Sequence, residues 1–323
     1  MRAVVYPRYG SPDVVRVEEV ERPVPDDDEV LVRVRETVVT RADMAFRSGQ
    51  PFVSRLFTGL RRPKSIPGGE LAGEVEAVGD DVTRFSPGDR VFGSTGTSFG
   101  AHAEYARVAE DGLLATVPAG MTFEDTAGAC DGGFTALYFL RDKANVQRGQ
   151  RVLVNGVSGA VGTYAVQIAR NLGAEVTGVC SAANVELVEL LGADEVIDYT
   201  KEDFADRDGA YDVVFDAVGK RSFSQCANSL QPGGVYLTTV PSVGIFLRML
   251  RTAAFGDRKA IFAASGLHQT REDLLYLRDR LEAGDIESVV DRRYPLEDIA
   301  EAHRYVDAGH KRGNVVVTVS RGD

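Results

Sequence analysis

The sequence predicts an α/β protein in two parts, a β-rich domain and a doubly wound parallel sheet. Three observations carry that expectation. Residues 1–118 consist of short apolar–polar alternations cut by glycine and proline, as half-buried strands are. From residue 151 onward, strand-like apolar runs alternate with helical patterns, the order that builds repeated β-α-β units. At the start of that second part lies the stretch 151–172, RVLVNGVSGAVGTYAVQIARNL. Its apolar run breaks into a glycine-rich turn and then into an amphipathic helix.

Taken in order, residues 3–6, 14–20 and 29–39 read as strands, and the last (EVLVRVRETVV) alternates most clearly. Residues 40–66 read as irregular and basic, with Arg41, Arg47, Arg55, Arg61, Arg62 and Lys64. Short glycine-punctuated strands follow, so a partly open barrel or distorted sheet is expected. Helical patterns occupy 122–127 and 134–140. Beyond the glycine turn come a strand at 175–180, a helix at 182–191 ended by Gly192, and a strand at 195–197. A strand at 211–218, a helix at 223–230, a strand at 234–240 and a strand at 260–264 complete the series. Residues 241–258 are apolar enough for a buried core helix. Alternatively, Phe246, Leu247, Met249 and Leu250 line a pocket or a subunit contact. Residues 272–283 and 296–307 read as helices, and a strand at 314–319 returns to the first domain. The expected domains are residues 1–121 with 266–323, and residues 122–265.

Net charge is −11 over 323 residues, so polyanions are repelled and no nucleic-acid or anionic-membrane partner is expected. No run of about 18 apolar residues marks a membrane span, and the N-terminus lacks the apolar core of a signal peptide. Cys130, Cys180 and Cys226 are scattered and odd in number; they form no disulfide framework and fit a reducing cytoplasm. His102, His268, His303 and His310 show no metal-ligand spacing.

The glycine turn is a candidate phosphate cradle. Gly159 lets backbone approach an anion, and Gly162 lets helix pack on strand. The helix N-terminus offers free N–H groups to the same anion. An ordinary strand-to-helix turn, or a related fold holding another adenine ligand, leaves the same trace.

Several pieces resemble, in the right order, the medium-chain dehydrogenase/reductase superfamily in its zinc-free quinone oxidoreductase (zeta-crystallin-like) branch. They are residues 68–75 (GGELAGEV), 85–91 (FSPGDRV), 133–137 (GFTAL), the glycine turn and 191–199 (LGADEVIDY). The resemblance implies a GroES-like β-rich catalytic domain, a Rossmann doubly wound parallel sheet and a cofactor in the cleft between them. It also implies a homodimer formed near residues 260–264, and hydride transfer to a quinone or an α,β-unsaturated carbonyl. Zinc-dependent relatives hold their catalytic ion with cysteine, histidine and cysteine. Those positions here carry Thr40, Gly69 and Cys130. Zinc needs at least three such ligands, so no metal is expected, and Cys130 reads as a small buried apolar residue.

Strand 175–180 runs into Ser181-Ala182-Ala183-Asn184, with no acid before Glu186. NAD-preferring enzymes place a carboxylate there, and its absence admits the 2′-phosphate of NADPH. The resemblance places Ser181, Asn184 and Tyr199 around that phosphate. It places Ser158, Gly159, Ala160 and Val161 at the pyrophosphate and Thr135 near the nicotinamide. The backbone of Thr238, Thr239, Val240, Phe262, Ala263 and Ala264 then meets the carboxamide. Thr135 reads equally as a helix N-cap, and Tyr199 as an aromatic packing on the sheet. Relatives often carry Lys or Arg in loop 181–184; this chain has neither.

Without zinc, charge developing on the acceptor oxygen needs a hydrogen-bond donor. Thr40, Arg41 and Arg47 are candidates, with Asp43 orienting a neighbour or capping a turn; otherwise the arginines form a solvated face. No proton donor is identified. Two competing readings are a nucleotide-binding sensor or structural protein without turnover, and an alcohol dehydrogenase-like activity.

Overall fold

The computed structural model describes residues 1–63 and 66–320; Lys64, part of the basic run, lies outside the described residues. The chain forms two compact units, one of Met1–Asp131, Gln269–Gly284 and Ser288–Asp323, the other of Gly132–His268 and Asp285–Glu287.

In the first unit, β1 (Arg2–Val5) and β2 (Arg16–Glu19) pair antiparallel. A larger sheet contains β3 (Glu29–Val38), β4 (Glu70–Val78), β5 (Arg90–Ser94), β6 (Tyr105–Ala109) and β7 (Leu113–Thr116). The alternation read in 29–39 holds only in part: Val30, Val32 and Val34 of β3 are fully buried in the core of this unit, but Leu31, Thr37 and Val38 are buried as well.

The expected irregular stretch 40–66 is instead partly helical, with α1 (Arg41–Ser48) and α2 (Arg55–Thr58). The cause is a reciprocal cap. Thr40 Oγ1 accepts from the Asp43 N–H at 3.2 Å, and Asp43 Oδ2 accepts from the Thr40 N–H at 2.8 Å. Gly49 then closes α1 in the left-handed conformation, φ 66°. Thr122 and Asp125 repeat the device at the start of α3 (Phe123–Ala127).

Helix α4 (Ala129–Leu137) leads into the second unit. Its parallel sheet contains β8 (Arg151–Asn155), β9 (Glu175–Cys180), β10 (Glu195–Asp198), β11 (Tyr211–Asp216), β12 (Leu230–Thr238) and β13 (Lys259–Phe262). The order is β10-β9-β8-β11-β12-β13, so the chain reverses direction across the sheet between β8 and β11, where such folds bind ligands. Helices α5 (Ala160–Asn171), α6 (Val185–Leu190), α7 (Phe223–Cys226) and α8 (Val243–Phe255) connect the strands. Every residue from Gly162 to Ala169 of α5 is buried.

Two expectations fail here. The helix at 223–230 stops at Cys226, because Leu230 is taken into β12 opposite Tyr211. The segment 241–258 is a helix, α8, but not a buried core helix. Only Ile245 and Thr252 are buried, while Phe246, Leu247 and Leu250 are exposed and Met249 packs partly on the core.

The chain returns to the first unit through α9 (Arg271–Glu282), β14 (Val290–Pro295), α10 (Ile299–Asp307) and β15 (Asn314–Thr318). As expected, the last strand joins the first domain's sheet. It pairs antiparallel with β3, Val316 opposite Val38. The completed order is β14-β15-β3-β4-β5-β7, with β6 also on β3.

Candidate nucleotide-binding site

Every strand of the second unit's sheet runs parallel to its neighbours, so their C-terminal ends form one edge. Most of the sequence-selected residues lie on that edge. Ser158 to Val161 follow β8, Ser181 and Asn184 follow β9, and Tyr199 follows β10. Thr238 ends β12 with Thr239 and Val240 after it; Phe262 ends β13 with Ala263 and Ala264 after it.

The glycine turn is shaped by close contacts. Gly156 has φ 81°, and a Cβ on it would meet Val218 Cγ2 at 2.1 Å. A Cβ on Gly162 would meet the Gly156 carbonyl oxygen at 2.3 Å and Val157 Cα at 2.6 Å, so helix lies directly on turn. Gly159 is different. A Cβ there would touch only the Gly156 oxygen, at 3.4 Å. Gly159 is the N-cap of α5 and no side chain caps that end. The first-turn N–H groups of α5 have no partner within the helix, and the backbone at Gly159 beside them has open space where a side chain would stand. This is a fitting cradle for a pyrophosphate.

Beside the turn, Asn184 Nδ2 donates to Ser158 Oγ at 3.0 Å and to Ser181 Oγ at 3.4 Å. The structure thus gathers three sequence-selected residues into one polar group. The Tyr199 N–H donates to the Cys180 carbonyl at 3.0 Å, and the residue is 60% exposed, so it is not buried against the sheet. Thr135 lies inside α4, which removes the N-cap alternative. Its Oγ1 is 2.9 Å from Ser265 Oγ, tying α4 to the loop after β13. Thr238 and Val240 line a cavity of about 260 Å³ together with Tyr236, Ser242 and Arg248. That is below the usual ~300 Å³ floor for a ligand pocket, so it suits a fragment of a ligand.

Sequence reasoning missed Asp216 and Asn155 at the point where the strand order reverses. Asp216 is fully buried. It accepts from Asn155 Nδ2 at 2.9 Å, from the N–H groups of Val218, Gly219 and Arg221 at 3.1, 3.0 and 3.2 Å, and from Tyr236 Oη at 3.1 Å. One carboxylate therefore shapes the loop after β11. A polar residue closing the apolar run YDVVFDAV was the available signal.

In the first unit, the oxyanion candidates fare unevenly. Thr40 Oγ1 donates to Asp43 Oδ2 at 2.8 Å, so both belong to the α1 cap. Arg47 is not part of a solvated face, and its Nη1 is buried with no hydrogen-bond partner. It is 3% exposed, and it donates to Asp307 Oδ2 at 2.7 Å and to the Gly10 carbonyl at 3.3 Å. Only Arg41 remains exposed.

The residues at the zinc-ligand positions do not fit a zinc ion. Gly69 has no side chain and Thr40 is engaged. Cys130 is fully buried, and burial holds its thiol well above the ordinary range. Among the described residues no group of three His, Cys, Asp or Glu is placed to hold a metal. Two acids nearby titrate abnormally. Burial pushes Glu70 well above the usual carboxylate range, and it pushes Asp131 up to about 6, with Asp43 adding to both.

A β-rich unit of this kind beside a parallel sheet of order 3-2-1-4-5-6 is the architecture of a GroES-like plus a Rossmann domain. Residues 26–119 match the family model for an alcohol dehydrogenase GroES-like domain, and residues 191–317 that for a zinc-binding dehydrogenase. A quinone oxidoreductase of Pseudomonas aeruginosa is 32% identical over 98% of this chain and 99% of its own length. A 2-methylene-furan-3-one reductase of Solanum lycopersicum is 30% identical over 98% of this chain and 79% of its own. The crystal structure of Escherichia coli quinone oxidoreductase complexed with NADPH superposes with a TM-score of 0.85 at 25% identity, covering 99% of this chain and 100% of the other. The chain belongs to the medium-chain dehydrogenase/reductase superfamily, in its quinone oxidoreductase branch. No described helix is long and apolar enough to cross a membrane.

Proposed function

We propose that this protein transfers hydride from NADPH to a quinone or an α,β-unsaturated carbonyl without a metal ion. The observation that carries the reading is the Ser158–Asn184–Ser181 group beside the uncapped N-terminus of α5. It offers hydroxyl and amide donors and no carboxylate, which favours a phosphorylated ribose over a bare one. NADPH in the Escherichia coli relative supports the cofactor. The names of the Pseudomonas and tomato relatives support the two acceptor classes.

When bound, the reduced nicotinamide supplies the hydride. The protein's own residues bind, orient and shield. The first-turn N–H groups of α5 and the backbone of Ser158 to Val161 hold the pyrophosphate. Ser181, Asn184 and Tyr199 surround the 2′-phosphate. Thr135, fixed by Ser265, would orient the nicotinamide, and the backbone of Thr238 to Val240 and Phe262 to Ala264 would hold its carboxamide. β13 ends the sheet, and we assign a homodimer to that edge. The three buried, unpaired cysteines suit a reducing cytoplasm.

The test is to mix purified protein with NADPH and a panel of small quinones and enones. The reading requires loss of the reduced-nicotinamide absorbance with at least one acceptor. Binding without oxidation would establish the non-catalytic sensor instead.

A further inference from the structure

The loop that would face a 2′-phosphate, Ser181-Ala182-Ala183-Asn184, carries polar groups but no cation. Neutral donors hold an anion about half as strongly per bond as charged ones. The next strand has the missing charge. β10 lies beside β9 with Asp198 opposite Cys180, and the Tyr199 N–H bonds the Cys180 carbonyl at 3.0 Å. The chain beyond β10 therefore leaves the sheet next to Ser181.

There it turns back on itself. The Lys201 N–H donates to the Asp198 carbonyl at 2.9 Å. Lys201 Nζ sits 3.3 Å from Asp198 Oδ2, with its side chain 78% exposed. The other oxygen of Asp198 accepts from the Thr200 N–H at 3.1 Å and from Thr200 Oγ1 at 2.8 Å. Lys201 thus offsets a carboxylate that would repel a phosphate, and it keeps an exposed ammonium at the same edge. The cations that follow β11 are placed differently. Arg221 is paired with Asp203 at 2.7 Å, and Lys220 follows a strand on the far side of β8 from β9.

We propose that Lys201 is the cation that selects NADPH over NADH in this chain, closing on the 2′-phosphate from the β10 side while Ser181 and Asn184 hold it from the β9 side. The assignment rests on the NADPH reading above.

The experiment is calorimetric titration of the full chain and of Lys201→Ala and Lys201→Arg with 2′,5′-ADP, 5′-AMP, NADPH and NADH. Wild type should bind 2′,5′-ADP more tightly than 5′-AMP. Lys201→Ala should weaken 2′,5′-ADP and NADPH about tenfold, the loss of one charge-assisted bond. It should leave 5′-AMP and NADH within about twofold, as removal of a screened surface charge does away from the phosphate. Lys201→Arg should restore the preference. If Lys201→Ala keeps the wild-type ratio between the fragments, the assignment fails while the NADPH reading stands. Equal weakening of both fragments also overturns it. If wild type does not distinguish 2′,5′-ADP from 5′-AMP, both readings fall together.

Discussion

Replacing Gly162 with alanine places a methyl carbon where the backbone of the turn already is. The three nearest atoms are the Gly156 oxygen at 2.3 Å, Val157 Cα at 2.6 Å and the Val157 carbonyl carbon at 2.7 Å. Ordinary contact begins near ~3.5 Å, so α5 must retreat by about 1 Å, and no side-chain rotation relieves it. Overpacking of this kind costs about 1–3 kcal/mol of stability. A misplacement of about 1 Å in a positioning element costs up to ~100-fold, so NADPH affinity should fall between about tenfold and 100-fold, or about 1.4–2.7 kcal/mol. Gly159→Ala separates the two effects. Its Cβ meets nothing closer than 3.4 Å, so stability should change little, yet it fills the cradle and should abolish tight binding. The assay is a cofactor-fluorescence titration beside a denaturant melt for each variant. If Gly162→Ala bound NADPH within twofold of wild type at unchanged stability, the packing argument for this turn would be refuted.

Three further outcomes are expected. Asp216→Ala strands one buried and four part-buried donors around one carboxylate site, and should cost about 1–3 kcal/mol in denaturant unfolding; an unshifted midpoint would contradict its role. Glu36 is raised from 4.5 to about 7, by burial first and then by Glu124, with Thr318 opposing. The folded value exceeds the unfolded one, so its contribution is fully present below about pH 4.5 and is lost as pH rises through about 7. Glu36→Gln should therefore stabilise at pH 8 by about 1–2 kcal/mol, discounted for partial exposure, and by less at pH 5. Equal denaturant midpoints for variant and wild type at both pH values would count against this. Thr135→Val removes the Ser265 contact without changing shape, and should lower turnover about tenfold while NADPH affinity stays within twofold. A larger loss of affinity than of turnover would show that Thr135 binds rather than orients.

Much of the second unit was legible in the sequence because its signals are local. β9 begins and ends where its apolar run does, Glu175–Cys180, and Gly192 takes the left-handed φ of 96° expected past a helix end. The Ser158–Asn184–Ser181 group was reached through resemblance, and no pattern reading predicts a hydrogen bond across 26 residues. What was missed depended on reading a weak signal against a louder one. Thr40 and Asp43 spelled a helix start, but the arginines around them suggested a solvated loop. Arg47 is the sharpest case. Its burial comes from Asp307 and Gly10, two residues remote in sequence. α8 shows the converse limit: its apolar content admitted a buried helix or a pocket or contact surface, and composition does not tell a buried face from an exposed one.

The most direct test of the central claim is NADPH oxidation by chelator-treated, metal-free protein in the presence of a small quinone. The reduced-nicotinamide absorbance should decay at the same rate as with untreated protein. Loss of activity on chelation that zinc restores, or no oxidation in either sample with any acceptor, would contradict the account.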